Sequence, residues 1–514
     1  MGNNVSKRSI AIDHKNSYLW IPICCSQNKQ WIRLIQNGQA VTEFKIPIPQ
    51  VAVETFDFWG KIPTSLFAEG ELEIEGEVEQ WYLEQITLAP QTQTPSKYGL
   101  HYAPSAGWMN DPNGLVYYGG VYHLYYQYNP FDSEWGNMCW GHAISSDLVH
   151  WDEEELVMMP DQEGMIFSGC GLVNRQKMLD LSDDALLFFY TAAGGTNPLS
   201  EGREFVQKTA YSIDGGQTFI KMPGDTIPTI CKENRDPKIF WHEKTKQYIA
   251  CLWLEEDEFA ILQSKDLVNW KLSQRFSLEN GFECPDLFSL TSEDGKQPWF
   301  VWTADGYYYE GDFDGNKFQQ TKKLKKAYVT KHPYAATSYS NVEGVVNISW
   351  LRTTQKDNHV GTMSIPRMFS LGEDEDGFYI RQNLEDGVMK EFFLAECIEA
   401  TDTFNVQVGS EDVWMLTIAI REVPTKSRAL EFSIYGQPFS VDLAQGIFSG
   451  STQETIEIGK PIREMTIIHD HGLLEITFNY ERFLGIVELG PSIKRKEIAV
   501  VGDIFQLNWS KKRD

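Results

Sequence analysis

"SSDLVHW", residues 145–151, recurs at 264–270 as "SKDLVNW", and a looser relative, "YSIDGGQTF", occupies 211–219. In each, a Ser leads into an Asp at a turn and an aromatic follows, the pattern expected of equivalent strand junctions in repeated sheets. The surrounding sequence fits: "GLVYYGGVYHLYYQY", "KIFWHEKTKQYIACLWL", "YYYEGDFDGNKFQQT" and "LEFSIYGQPFSVDL" all read as strand, turn, strand. Long helical periodicity is absent. An all-β protein is expected, with four-stranded sheets repeated over about 270 residues as a propeller.

The flanks differ in character. Residues 1–95 carry β-runs such as "QWIRLIQNGQAVTEFKIPIP" and end near the polar connector "QTQTPSK", which predicts a small N-terminal β-domain and linker. The propeller is expected over 96–371. The acidic "GEDEDG" at 372–377 is taken as a boundary, and 378–514, where polar and apolar positions alternate, as a C-terminal β-sandwich.

Bulk properties narrow the ligand. The 514 residues exceed one ordinary core, and a formal charge of −27 without a basic stripe disfavours nucleic acid and anionic membranes. The short basic runs "KKLKK" at 322–326 and "KKRD" at the end are expected to be solvated faces. A surplus of aromatics, with 16 Trp and 22 Tyr, suits stacking on sugars. Eight scattered cysteines lack C-x-x-C spacing and suggest neither a disulfide framework nor a zinc site. No apolar signal core opens the sequence, so a cytoplasmic location is expected; "MGNNVS" matches the short myristoylation pattern at Gly2.

Three acids sit in marked surroundings: Asp111 in "WMNDPNG", Asp236 in "ENRDPKIFW" and Glu283 in "GFECPDLF". The first reads as a turn, since Asn, Asp, Pro and Gly are turn formers. Asp111 and Asp236 each precede a Pro, which biases them towards extended backbone. Carboxylates converging from separate blades would repel one another and keep one protonated near neutral pH, an acid beside an ionised nucleophile. Such a pair is the equipment of a retaining glycosidase. The chemistry alone leaves a structural role for these acids equally open.

The run "HYAPSAGWMNDPNGLVYYGGVYHLYYQYNPFDSEWGNMCWGHAISSDLVHW", followed in order by "FSGC", "RDP", "ECPDLF", "YAA" and "MSIPR", resembles glycoside hydrolase family 32, the family of invertases and fructan hydrolases. The resemblance spans 101 to about 371. It implies a five-bladed β-propeller followed by a β-sandwich. It also implies that Asp111 is the nucleophile, Glu283 the acid/base, and Asp236 the group that binds fructose hydroxyls and stabilises the transition state. Around the terminal fructose it places Asn110, Gln127, Trp135, Phe167, Ser168 and Arg235, the last keeping Asp236 ionised, and it makes Trp108, Tyr334 and Trp350 an aromatic wall. For these aromatics the alternative is blade packing.

Cys170, Cys139 and Thr337 depart from the usual family residues and are expected to bear on the pocket rim. The two cysteines lack a base motif and read as buried packing. His142, in "WGH", reads as structural. No metal-ligand spacing is present, and the implied chemistry needs no metal or organic cofactor. A retaining β-fructofuranosidase acting on terminal fructose of fructans, fructo-oligosaccharides or sucrose is expected, as a monomer or homodimer. The alternatives are a fructosyltransferase using the same site, an invertase restricted to sucrose, and a non-catalytic fructan binder.

Overall fold

Five antiparallel sheets succeed one another along the chain, at 107–153, 165–221, 235–277, 286–320 and 333–384. They belong to a computed structural model describing residues 5–354, 357–409, 411–420, 429–450, 455–490 and 495–513. Gly2, the myristoylation candidate, lies outside the described residues. The four strand-turn-strand segments expected from sequence each pair as hairpins.

The first strands of the sheets ring a common axis, which makes the arrangement a propeller. Gly107–Tyr118 packs against Met165–Val173, and that strand against Arg235–His242; Asp286–Ser289 packs against Pro333–Ser338, which returns to Gly107–Tyr118. The circle closes where His359 and Val360, far along the chain, pair in parallel with Gly107 and Trp108.

The repeated heptapeptides occupy equivalent places, just after the third strand of a sheet. Asp147 Oδ1 accepts the amides of Val149 and His150, and Asp266 Oδ1 those of Val268 and Asn269. Leu148 and Leu267 take the same left-handed backbone, φ 65° and 63°. Asp214 plays this part for Gln217 and Thr218 in the second sheet. Two further copies lack the sequence signature: Asp314 accepts from Asn316 and Lys317, and Asp374 from Asp376. One carboxylate per sheet therefore satisfies the turn amides that would otherwise go unpaired.

Asp374 belongs to "GEDEDG", so that acidic run is a hairpin turn inside the fifth sheet, joining Arg367–Asp374 to Gly377–Leu384. The expected boundary at 371–378 is corrected accordingly: the sheet continues to Leu384. Charge density marked a solvated turn there, not a linker.

Before the ring, residues 6–76 build a four-stranded and a two-stranded sheet. Their core, including Ile32, Phe44 and Leu72, runs without a break into Leu124, Phe131 and Met363 of the propeller. After the ring, the strand Glu497–Lys512 pairs with Phe392–Gln407 along one edge. Along its other edge it pairs first with Ala429–Ile434 and then with Trp414–Ala419. A single long strand thus serves both layers of the sandwich, which close over Trp414, Phe432, Ile467 and Trp509. Propeller and sandwich are joined by a buried clasp. The amides of Gly99, Leu100 and His101 all donate to Asp470, the His101 ring bridges Asp470 and Glu475, and Arg367 grips Glu475 from the other side.

Candidate active site

Asp111 and Asp236 lie in the first strands of the first and third sheets, Glu283 lies in the loop that leads into the fourth, and the three meet around Cys284. Asp111 does not sit in a turn. It lies within Gly107–Tyr118, whose pairing with Val121–Asn129 shifts register between Met109 and Pro112 and again between Asn113 and Val116. These bulges absorb the Pro and Gly that suggested a reversal, and they re-aim the carboxylate. Ser168 Oγ donates to Asp111 Oδ2 at 2.6 Å and Asn110 Nδ2 to Oδ1 at 3.1 Å. Next to Ser168, Gly169 lies so close to the neighbouring strand that a Cβ there would stand 1.9 Å from Phe189 O.

The backbone at Asp236 is also not as expected. Asp236 has φ 62° and Glu283 φ 45°, with Cys284 at 44° and Ala335 at 51°; all four lie in the left-handed region. The extended bias before Pro237 is overridden, a strained conformation that surrounding structure must hold in place. Part of that hold is visible. The Asp236 amide donates to Thr191 Oγ1 at 3.1 Å, and the Cys284 amide donates to Asp236 Oδ2 at 3.2 Å. The Cys284 thiol lies 3.5 Å from Asp236 Oδ2 and 3.7 Å from Asp111 Oδ2, bridging two of the acids.

Glu283 receives donors on both oxygens. Arg235 Nε reaches Oε1 at 3.1 Å, with a second guanidinium nitrogen on the same oxygen, and Tyr334 OH reaches Oε2 at 2.5 Å. Arg235 therefore turns to Glu283; its nearest approach to Asp236 is 4.0 Å. The expectation that Arg235 keeps Asp236 ionised is corrected. Burial, reinforced by the charges of Glu283 and Asp111, outweighs Arg235 and pushes Asp236 up to about 7. Asp111 is also raised, by burial and by Glu283, against the bonds from Ser168 and Asn110.

The aromatic residues enclose this centre. Trp108 Nε1 donates to Asn110 Oδ1 at 3.0 Å, its ring meets Trp350 edge-on at 5.8 Å, and Trp350 meets Tyr334 at 6.2 Å. Arg352 lies over Tyr334, and Arg235 is stacked 3.9 Å from the Trp253 ring centroid. Trp135, half exposed, stands against Phe167 at 5.9 Å. Gln127 is buried and spends its amide N–H on Ile166 O, beside Phe167.

Below the acids, Lys238 and Asp286 form a buried ion pair at 3.2 Å; Lys238 also donates to Ser338 O, and Asp286 accepts the Ser338 amide. The pair ties the third, fourth and fifth sheets together. Sequence reasoning missed both residues, although each lies two positions beyond a site residue, Asp236 or Cys284, with a Pro between. Alternation along a strand would have placed them on the same side. Thr337 accepts from Lys238, and the Cys170 thiol accepts the Ile239 amide at 3.1 Å. These departures belong to the floor of the site and not, as expected, to its rim. Cys139 is buried, and His142 is buried against His123, with Nε2 3.1 Å from His123 Nδ1.

Residues 101–382 match the family model described as "Glycosyl hydrolases family 32 N-terminal domain". Levanase of Bacillus subtilis (strain 168) is 35% identical over 317 residues, covering 55% of this chain and 46% of the levanase. Invertase of Debaryomyces hansenii is 33% identical over 320 residues, covering 56% of this chain and 58% of the invertase. The chain thus spans about half the length of the curated relatives it matches. Among solved structures, exo-inulinase from Aspergillus awamori superposes with a TM-score of 0.72 at 22% identity, over 83% of this chain and all of that one. A glycoside hydrolase family 32 structure from Bifidobacterium adolescentis covers 99% of both chains, at a TM-score of 0.67 and 16% identity.

Proposed function

The chain belongs to glycoside hydrolase family 32, and from that premise we propose that it is a retaining β-fructofuranosidase. Its five sheets are five blades around the site. The observation that carries the reading is the convergence of Asp111, from the first sheet, and Glu283, from the loop before the fourth, each held by named donors and joined through Cys284 to Asp236. The relatives' names, levanase and invertase, support a fructose-containing saccharide as substrate.

In the first step an Asp111 oxygen attacks the anomeric carbon of a terminal fructosyl unit, the glycosidic C–O bond breaks, and Glu283 gives its proton to the departing oxygen. A fructosyl ester on Asp111 results. In the second step Glu283, now ionised, takes a proton from water, whose oxygen displaces Asp111 and releases fructose. Asp236 accepts hydrogen bonds from the sugar and favours the positive charge that develops at its ring. Trp108, Trp350, Trp135 and Phe167 supply apolar walls, with Asn110, Gln127, Ser168 and Arg235 around the sugar.

The test is chromatography of products from sucrose, inulin and levan at matched fructosyl concentration, with Asp111→Asn and Glu283→Gln alongside. Fructose released by the wild type, with turnover lost in both variants and their folds intact, supports the reading. Full activity in either variant sinks it. Fructosyl oligomers in place of free fructose would make the enzyme a transferase.

A further inference from the structure

The N-terminal β-domain lies outside the family match, which begins at residue 101, yet it grips the segment that carries Trp135. Ahead of Trp135, Lys29 Nζ pairs with Asp132 at 2.5 Å and Glu134 at 2.7 Å; the Asp132 side chain is 1% exposed. Behind it, buried Asn137 exchanges two hydrogen bonds with the backbone of Lys45, 2.7 and 3.0 Å long, and takes left-handed backbone at φ 48°. Phe131 packs on Phe44 with ring centroids 4.6 Å apart, and a Cβ on Gly60 would stand 2.4 Å from Pro130 O. Glu43, whose side chain is wholly buried, accepts the Leu199 amide at 2.6 Å. That contact fixes a second loop, next to Phe205, the ring against which Phe167 packs.

We propose that the N-terminal β-domain is a structural part of the substrate site. Lys29 and the backbone of Lys45 are positioning elements that hold the segment 129–137 from both sides, and so fix the exposed Trp135 ring against Phe167 at the mouth. The domain acts on substrate binding through Trp135, without touching the acids. This rests on the reading of the site as a fructoside pocket. A domain tethered merely to bind sugar elsewhere would not need a buried carboxylate, a reciprocal Asn–backbone pair and a shared apolar core against one pocket loop. Ion pairs on a free surface contribute little, whereas a cation removed from a buried carboxylate leaves an uncompensated charge.

The experiment uses the full chain labelled with 5-fluorotryptophan, the Trp135 resonance being identified by its loss in Trp135→Phe. Three variants are compared with the wild type. Lys29→Met removes the grip, and Lys29→Met/Asp132→Asn removes it without leaving a buried charge, in case the single variant fails to fold. Lys29→Arg keeps the charge. Lys7→Met, which breaks a surface ion pair of the same domain, is the control. The expected result is a shifted or broadened Trp135 signal in the first two variants, with KM for sucrose or fructo-oligosaccharide raised about fivefold and kcat within about twofold. Lys29→Arg should lie close to the wild type and Lys7→Met should match it. An unmoved Trp135 signal with unchanged KM in the double variant overturns the proposal, as does a fall in kcat with KM unchanged. A wild type that hydrolyses no fructoside would overturn the functional reading and leave the fluorine signal to decide the positioning role.

Discussion

The guanidinium of Arg235 closes on Glu283, in the loop before the fourth sheet, and leaves its chain neighbour Asp236 at 4.0 Å. Glu283 is thereby held between Arg235 and Tyr334, whose hydroxyl is kept a donor by burial and by the Glu283 charge.

Tyr334→Phe removes one of the donors on Glu283 and keeps the ring that packs on Trp350. A hydrogen bond to a charged group contributes about 1.5–3 kcal/mol, so kcat should fall by roughly 10- to 100-fold. Steady-state kinetics on sucrose checks this, and circular dichroism should show an unchanged fold. A wild-type kcat would place the proton transfer elsewhere.

Asp236→Asn should stabilise the protein at neutral pH while abolishing turnover. The Asp236 carboxyl is raised to about 7 by burial, from an ordinary value near 3.8. In the window between those values the folded chain keeps a proton that the unfolded chain has lost, so stability falls as pH rises and the loss is complete above about 7. Thermal unfolding at a series of pH values should show the variant's advantage at pH 8 and its disappearance near pH 4. A constant difference across that range would mean that Asp236 does not titrate there.

Lys238→Met should destabilise the propeller by about 3–5 kcal/mol, the usual result of stripping one partner from a buried pair. Lys238→Met/Asp286→Asn should recover much of that loss. Urea unfolding of both variants distinguishes a stranded charge at Asp286 from lost packing alone, for which the double variant would be no better.

His101→Gln tests the clasp. Burial alone would lower the imidazole, but Asp470 and Glu475 outweigh it and raise it to about 9. The resulting stability is fully present below about 6.5 and is lost as pH rises through about 9. The wild type's higher Tm over the variant should therefore narrow between those pH values. A gap that widens with pH would contradict a charged His101.

The acids were legible because Asp111 and Asp236 each precede a Pro and Glu283 lies two residues before one, and the repeats because Ser and Asp must close the same turn. Other features depended on partners distant in sequence. Left-handed backbone at Asp236 contradicts the local bias before Pro237, and Thr191, from another sheet, and Cys284, from the loop before the fourth, hold it. The bulges at Asp111 follow from pairing with the next strand. Asp314 and Asp374 complete the repeat without the Ser that made the others recognisable. Lys238 and Asp286 show as partners only once the ring brings their strands together.

The parallel pairing of His359 and Val360 with Gly107 and Trp108 also bears on how the molecule comes into being. It joins the beginning of the ring to its end, so this contact is among the costliest in loop-closure entropy in the propeller and belongs to the late, slow part of folding. The strand that bears Asp111 leaves the ribosome early and waits for its last partner until three more sheets and the first strands of the fifth have been made. Until then its edge is open to mispairing and its carboxylate lacks Glu283. Activity should therefore lag behind the growth of β-structure during refolding and mark the moment at which the circle shuts.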